Sequence, residues 1–155
     1  MKKIFMINLG GNIDNGNIEI HNKIFLFKES IEDCYDSIIK KWIGNSVHLD
    51  SYLILDYIDG YKVEKGTSTN KLYLIVFGGD KPGHLDEVHE YKFLLAKDKI
   101  EAKTFGKDFI KQFEYIDHID EVVDVNEKLG FGLTFIEGSY QFKDNNVTYE
   151  FIKLK

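Results

Sequence analysis

Arginine is absent from this sequence, and cysteine, proline and tryptophan each occur once. All 20 basic residues are therefore lysines, and the formal net charge is −6. The guanidinium group binds phosphate and guanine in bidentate fashion and stacks on bases, so its absence removes the side chain best suited to nucleic acid. The lysines are also dispersed among acidic residues. We therefore expect neither a nucleic acid nor a membrane as a partner.

Long hydrophobic runs are absent as well. The N-terminal apolar run ends at Leu9, and no segment approaches the roughly 20 apolar residues that span a bilayer. A similar run recurs inside the chain from Lys71, so we interpret the N-terminal run as a strand rather than a secretory signal. The only cysteine, Cys34, cannot form an internal disulfide. A reducing, cytoplasmic location is the resulting expectation.

The sequence contains two similar halves. KIFMINLGG at 3–11 recurs as KLYLIVFGG at 71–79, and the motifs E-x-H and H-x-D follow in the same order in both halves. Ordered matches of this kind indicate that one unit of about 70 residues was duplicated. We expect a first repeat at 1–66, a linker at 67–70 and a second repeat at 71–155. Units of this size bury little apolar surface alone, so both repeats are expected to share one core.

Each repeat is predicted to have the order β-β-α-β-β. The first repeat is expected to have strands at 3–9, 18–27, 47–57 and 60–65, and the second to end with strands at 119–125 and 131–136. The strand at 18–27 is expected to lie centrally in its sheet, and Asp59-Gly60 and Leu129-Gly130 to form turns. The predicted fold class is α+β, with mainly antiparallel sheet, one helix per repeat and a C-terminal hairpin within 140–154.

The helix of the first repeat is predicted from Ser30 to Trp42. Ser30 and Asp33 have the spacing of an acidic capping box, and Asp98 and Glu101 occupy the same positions before the second helix. Cys34 and Trp42 lie on the apolar stripe of the first helix, so we interpret both as core residues.

The duplicated polar residues are the best candidates for a functional site. In E-x-H and in H-x-D the two side chains are two residues apart on a strand and project from one face. If the two strands were adjacent, each half would gather two imidazoles and two carboxylates, which could bind zinc or iron. The candidate ligand-binding residues are Glu19, His21, His48, Asp50, Glu87, His89, His118 and Asp120.

Other interpretations of these residues are available. The favoured one is structural: the imidazoles pair with neighbouring carboxylates or satisfy buried backbone groups. A metal site and a metal-free binding or acid–base role are the alternatives. The glycine pairs Gly10-Gly11 and Gly78-Gly79 lead into strands rather than into helix N-termini, which favours tight turning or close backbone approach over a phosphate loop. They remain candidates for lining a ligand-binding crevice.

Several motifs together resemble the bacterial family called domain of unknown function 1543. These are the strand that ends in Leu9-Gly10-Gly11, the E-x-H before an apolar strand, the acidic helix cap, and the H-x-D followed by Asp-Gly-Tyr at 59–61. The likeness covers most of the chain in both halves. Where the family often has an acidic residue after the strand histidine, this chain has Asn22 and Glu90. The resemblance implies a bacterial, cytoplasmic protein and implies no activity.

Two functions are compatible with these observations. The first is a non-catalytic module that binds a small ligand or a protein partner, or that associates as a homodimer through its many aromatic residues. The alternative is a metal-dependent hydrolase or oxygenase that uses the His and carboxylate pairs. The sequence identifies no catalytic residue, cofactor or metal, and it leaves enzymatic activity open.

Overall fold

The computed structural model describes residues 1–155, and it has the predicted α+β fold with mostly antiparallel sheets. The strands are β1 Lys3–Gly11, β2 Ile20–Lys28, β3 His48–Ile54, β4 Tyr57–Ile58, β5 Tyr61–Lys65, β6 Lys71–Gly79, β7 Val88–Ala96, β8 His118–Asp124, β9 Leu133–Glu137 and β10 Val147–Lys153. The helices are α1 Tyr35–Lys41, α2 Lys99–Phe109 and α3 Val125–Leu129, with short 3-10 turns at Glu32–Cys34, Ile110–Gln112 and Phe142–Asp144.

The chain forms two compact units. Unit 1 comprises Met1–Lys62 and Gly138–Lys155, and unit 2 comprises Val63–Glu137. The C-terminal segment thus groups with the first half of the sequence, whereas the predicted second repeat extended to its end. The residues predicted as a linker, 67–70, lie between β5 and β6 outside any helix or strand.

Unit 1 contains a four-stranded sheet with the order β10-β3-β1-β2. The odd-numbered residues of β1 pack with the helix, in a core that includes Ile7, Leu9, Cys34, Ile38 and Trp42. The predicted apolar stripe of the first helix is therefore confirmed. The predicted pair of capping bonds is present, because Asp33 N donates to Ser30 Oγ (3.3 Å) and Ser30 N donates to Asp33 Oδ2 (3.1 Å). These bonds precede the 3-10 turn Glu32–Cys34, and the α-helix itself begins at Tyr35 rather than at the predicted Ser30.

The prediction that the strand at 18–27 is central is wrong. β2 lies at the edge of the sheet, and β1 is the central strand that pairs with both β2 and β3. The error has a physical reason: Phe25 and Leu26 are buried on opposite faces of β2, and burial of both faces does not require a hydrogen-bonded neighbour on both edges.

Unit 2 contains a three-stranded sheet with the order β7-β6-β8, again with the first strand of the half at its centre. Tyr73, Ile75 and Phe77 of β6 form its core together with Ala102 of α2. Helix α2 begins as predicted, because the side chain of Asp98 accepts a hydrogen bond from Glu101 N (2.8 Å).

The C-terminal hairpin that was predicted within 140–154 is not formed. Residues Phe142–Asp144 form a 3-10 turn, and β10 pairs antiparallel with β3 instead of with the preceding segment. The sequence predicted a strand correctly in this segment, but a local pattern does not identify the strand with which it pairs. β3 pairs with β1 along one edge, and β10 of the same unit pairs with its other edge.

The turns before β5 and β9 differ from each other. Asp59-Gly60 joins β4 to β5 in a two-residue hairpin, with Tyr57 opposite Lys62 and φ of Gly60 at 88°, as its sequence predicted. Gly130 instead ends the short helix α3 in a left-handed conformation, with φ at 83°. The second half therefore has one helix more than predicted. None of the helices has both the length and the apolar character needed to cross a membrane.

Candidate functional site

Gly10 lies between two histidines on neighbouring strands. In the register of the sheet, Gly10 of β1 is opposite His21 of β2 on one side and opposite His48 of β3 on the other. Residues that are directly opposite in an antiparallel pair project from the same face. Because the core side chains of β1 are its odd-numbered residues, both imidazoles project away from the helix.

Asp50 lies beside these histidines, at a β-bulge. The pairing of β1 with β3 shifts between Asn8 and Leu9, and Asp50 is left without an opposite residue on β1. Leu49 packs in the core next to the helix, whereas the Ser51 hydroxyl accepts a hydrogen bond from Asn8 on the other face (2.8 Å). The extra residue changes the facing of the strand at this point, and such bulges re-aim side chains near functional sites.

The cluster in unit 1 consists of four side chains, because Glu19 immediately precedes β2 and joins the other three. Nε2 of His48 lies 3.1 Å from Asp50 Oδ1 and 3.5 Å from Glu19 Oε2. Nε2 of His21 lies 3.8 Å from Glu19 Oε2 and 4.0 Å from Asp50 Oδ2. Each imidazole thus faces both carboxylates. We call this group cluster 1, and its members are Glu19, His21, His48 and Asp50.

Unit 2 repeats this arrangement with the same register. Gly78 of β6 lies opposite His89 of β7 and His118 of β8, and the pairing shift between Val76 and Phe77 leaves Asp120 without an opposite residue. The bulge therefore occurs at the equivalent position of both sheets.

The distances are shorter in this second group, which we call cluster 2 and which consists of Glu87, His89, His118 and Asp120. Nε2 of His118 lies 2.7 Å from Glu87 Oε1 and 2.8 Å from Asp120 Oδ1, and Nε2 of His89 lies 3.3 and 3.1 Å from the same two carboxylates. Three potential ligand atoms, one each from Glu87, His118 and Asp120, all lie within 4.8 Å of one another. The sequence therefore identified residues that the fold brings together in both halves.

The four candidate glycines have two different roles. A β-carbon on Gly10 would lie 2.7 Å from His48 Nε2, and one on Gly78 would lie 2.6 Å from Asp120 Oδ2, so these glycines form the floor of the clusters. Gly11 and Gly79 allow a backbone approach on the other side, where a β-carbon would overlap the carbonyl oxygens of Ser46 and Tyr115. Close backbone approach, one of the two roles that the sequence favoured for these pairs, is thus seen at Gly11 and Gly79, whereas the neighbours of Gly10 and Gly78 are side chains.

His118 is held by a third carboxylate that the sequence did not single out. Its Nδ1 forms a short hydrogen bond to Asp117 Oδ1, while its Nε2 faces cluster 2. The Asp117 carboxylate raises the pKa of His118, burial opposes this effect, and Asp120 and Glu87 raise the pKa further. The sequence does show an aspartate directly before His118. In the first half Val47 stands in that position before His48, so comparison of the two halves did not single out Asp117.

His48 has a different neighbour. The ring of Phe151 on β10 packs against its imidazole, with centroids 4.6 Å apart and planes inclined by 35°, and only 12% of the His48 side chain is exposed. Sequence reasoning missed Phe151, because no pattern in the sequence connected β10 with β3. The fifth histidine, His84, is exposed and outside both clusters.

Comparison with known proteins confirms the family resemblance for part of the first half. Residues 16–64 match the family described as Domain of Unknown Function (DUF1543). The fold is similar to that in the crystal structure of a protein Il1583 from Idiomarina loihiensis, with a TM-score of 0.72 and 22% sequence identity over 100% of this chain and 99% of that one. No curated protein matches the sequence.

Proposed function

We propose that this chain, whose residues 16–64 match the DUF1543 family, is a binding module that holds one divalent transition-metal ion in each half. The observation that supports this proposal most directly is the convergence of two imidazole nitrogens and two carboxylates over a glycine, repeated in both units at distances of 2.7 to 4.0 Å. The similar register and bulge of the two sheets support a duplicated origin, from which both sites would have been inherited.

The distances between the ligand atoms suit a tetrahedral ion. Zinc bonds of about 2.0–2.1 Å to nitrogen and oxygen place neighbouring ligand atoms about 3.3 Å apart. The separations are 3.1 to 4.0 Å in cluster 1 and 2.7 to 3.3 Å in cluster 2, so they lie on both sides of this value. These separations involve both oxygens of Asp50, Glu87 and Asp120, so one oxygen of each carboxylate would have to turn toward the ion for four-coordination.

The charges suit the same ion. Imidazoles bind a metal in their neutral form, so the two carboxylates of each cluster would contribute a charge of −2, which a divalent cation neutralises. Nitrogen and oxygen ligands without a thiolate favour zinc, cobalt, iron or manganese over copper(I) or an iron–sulfur cluster. Cys34 is fully buried in the core of unit 1 and contributes no ligand.

Ion pairs without a metal would give similar distances, and a zinc titration separates the two explanations. Calorimetric titration of the chelator-treated protein is expected to show about two zinc ions per chain. His21→Gln with His48→Gln should remove one equivalent, and His89→Gln with His118→Gln should remove the other. His84→Gln, which removes a histidine outside both clusters, should retain both. Absence of stoichiometric zinc from the parent protein would overturn the proposal.

A metal-dependent hydrolase is the second candidate, and the exposure of the clusters favours it. The side chain of His21 is 68% exposed and that of His118 is 47% exposed, whereas structural zinc sites are closed. A solvent-facing ion has room to bind a water molecule, and it lowers the pKa of that water. A carboxylate of the cluster can then accept the proton that the water loses. Zinc-loaded protein should then hydrolyse members of an ester and phosphoester panel that chelated protein does not. Equal rates for both forms would exclude this candidate.

Association with a second copy or with another protein remains a prediction from the aromatic content of the chain. Tyr149 and Phe151 of β10 are 83% and 68% exposed, which supports an apolar surface at the edge of unit 1. Sedimentation velocity of the parent protein and of Tyr149→Ser tests it. A concentration-independent monomer in both samples would contradict the homodimer.

A further inference from the structure

We propose that the two metal sites are unequal, that cluster 2 binds zinc more tightly than cluster 1, and that Asp117 is the positioning residue responsible. This inference rests on the proposed function and assigns a role to a residue outside the eight candidate ligands. It also predicts an order of filling: at low zinc concentration, cluster 2 fills first.

The first step concerns the two nitrogens of His118. Nδ1 is hydrogen-bonded to the Asp117 carboxylate, and Nε2 lies 2.7 and 2.8 Å from the carboxylates of Glu87 and Asp120. A hydrogen on Nδ1 leaves the lone pair on Nε2, which is the nitrogen that faces the site. Carboxylates that accept the second ring hydrogen of a ligating histidine fix its tautomer and orientation in many metal sites.

The second step concerns what holds Asp117. Its backbone N–H donates to the carbonyl oxygen of Gly78 (3.1 Å), the residue that forms the floor of cluster 2. The next residue, His118, is opposite Gly78 in the sheet. The backbone that carries both side chains is therefore fixed at Gly78, while the Asp117 carboxylate, whose side chain is 70% exposed, is held by its hydrogen bond to His118. The orientation of the ring is thus set before an ion binds.

The third step is the contrast with cluster 1. Val47 precedes His48 and is fully buried, so no carboxylate stands where Asp117 stands in unit 2. The carboxylate contacts of His48 are made by Nε2, and its ring is restrained by packing against Phe151. An aromatic contact restrains the position of the ring but does not select the tautomer. Binding of an ion to cluster 1 must therefore also fix the tautomer of His48. It must in addition bring together ligand atoms that are more widely separated than those of cluster 2.

The test uses proteins that retain a single cluster. The variant with His21→Gln and His48→Gln keeps cluster 2, and the variant with His89→Gln and His118→Gln keeps cluster 1. Zinc affinity is measured for each by competition with a chromophoric chelator. We expect tighter binding by the protein that keeps cluster 2. Adding Asp117→Asn to it should weaken binding by about 10- to 100-fold, and adding the same change to the other protein should have no effect.

Three controls separate positioning from a general effect on folding or charge. Asp108→Asn removes an exposed aspartate on α2 and should leave the affinity of cluster 2 unchanged. Asp117→Glu retains a carboxylate and should recover part of the affinity lost in Asp117→Asn. The absorption spectrum of bound cobalt(II) should change with Asp117→Asn, because it reports ligand geometry, whereas the melting temperature in chelator should stay near that of the parent.

The outcomes distinguish this inference from the proposed function. If both single-cluster proteins bind zinc and Asp117→Asn does not weaken cluster 2, Asp117 is not a positioning residue and the metal-binding function still stands. If cluster 1 proves the tighter site, the proposed order is wrong. If neither protein binds zinc, both proposals fail together.

Discussion

Gly10 and His48 are opposite each other on β1 and β3, so close that a β-carbon on Gly10 would lie 2.7 Å from Nε2 of His48. The central strand thus carries no side chain at the point where two histidines from its neighbours converge. Gly78 lies below cluster 2 in the corresponding position, but there the carboxylates of Glu87 and Asp120, rather than a histidine, come closest to it. A motif that first suggests a tight turn therefore has a second consequence, since it leaves space for four polar side chains over the sheet.

Gly10→Ala is expected to damage cluster 1 without unfolding the protein. The added methyl group meets the ends of two side chains, His48 Nε2 and His21 Cδ2 (3.1 Å), which can rotate away. Zinc affinity of cluster 1 should fall at least about tenfold, since displaced ligands no longer converge. Gly11→Ala is the contrasting variant. Its methyl group would overlap the backbone carbonyl of Ser46, so it should lower the free energy of unfolding by at least about 2 kcal/mol in urea denaturation. Equal loss of stability in both variants would contradict the assigned roles.

Asn145→Ala should strongly destabilise unit 1. The buried side-chain oxygen accepts hydrogen bonds from Asp56 N (2.9 Å) and Tyr57 N (3.0 Å), and its nitrogen donates to the carbonyls of Tyr57 (2.7 Å) and Phe142 (2.8 Å). Loss of these partners should cost about 3 kcal/mol, because buried backbone groups are left unpaired.

The matched control for that variant is the next residue. Asn146 is exposed, and Asn146→Ala should change the free energy of unfolding by less than about 0.5 kcal/mol in the same urea denaturation. A small effect of Asn145→Ala, similar to that of the control, would show that the C-terminal segment is not held by this side chain.

Cys34 should not react with thiol reagents in the native protein. Its side chain is fully buried, and this burial raises the pKa of the thiol to about 11. At pH 8 only about one thiol in a thousand would be ionised, and the thiolate is the reactive species. Ellman's reagent should therefore report about one thiol per chain in denaturant and almost none without it. Rapid reaction of the folded protein would mean that the core of unit 1 opens readily.

The pKa of His118 in chelator-treated protein should lie above its ordinary value of 6.5, chiefly because of Asp117. A raised folded-state pKa stabilises the folded protein below the pKa of the unfolded chain, and this contribution is lost as pH rises through the folded-state pKa. NMR titration of the ring should show the pKa moving down toward 6.5 in Asp117→Asn. Asp108→Asn should leave it in place. An unchanged pKa in Asp117→Asn would remove Asp117 as the main cause.

Much of the candidate site was predictable because the chain presents it twice. Glu19 and His21 recur as Glu87 and His89, and alternation along a strand requires the members of each pair to share a face. The sequence hypothesis required the two histidine strands to be adjacent, but β1 lies between β2 and β3 and the two histidines meet across it. Strand order depends on long-range pairing, which local periodicity does not encode.

The bulge and the C-terminal strand were also beyond local patterns. Asp50 shares a face with His48 by simple alternation, whereas Ser51 lies on that same face only because of the bulge, which depends on how β3 pairs with β1. Phe151 reaches His48 because β10 occupies the edge of β3 rather than folding back on the residues before it. In both cases the deciding partner is distant in sequence.

The sequence by itself determined the α+β class, the capped helices, the core positions of Cys34 and Trp42, and the residues worth testing. These follow from spacing and side-chain chemistry within short segments, and from comparison of one half with the other. Only the tertiary structure decided that eight polar residues form two clusters, that glycines lie beneath them, and that Asp117 supports one cluster but has no counterpart in the other. Convergence of side chains is set by strand order, register and bulges, and these arise from the pairing of segments far apart in the chain.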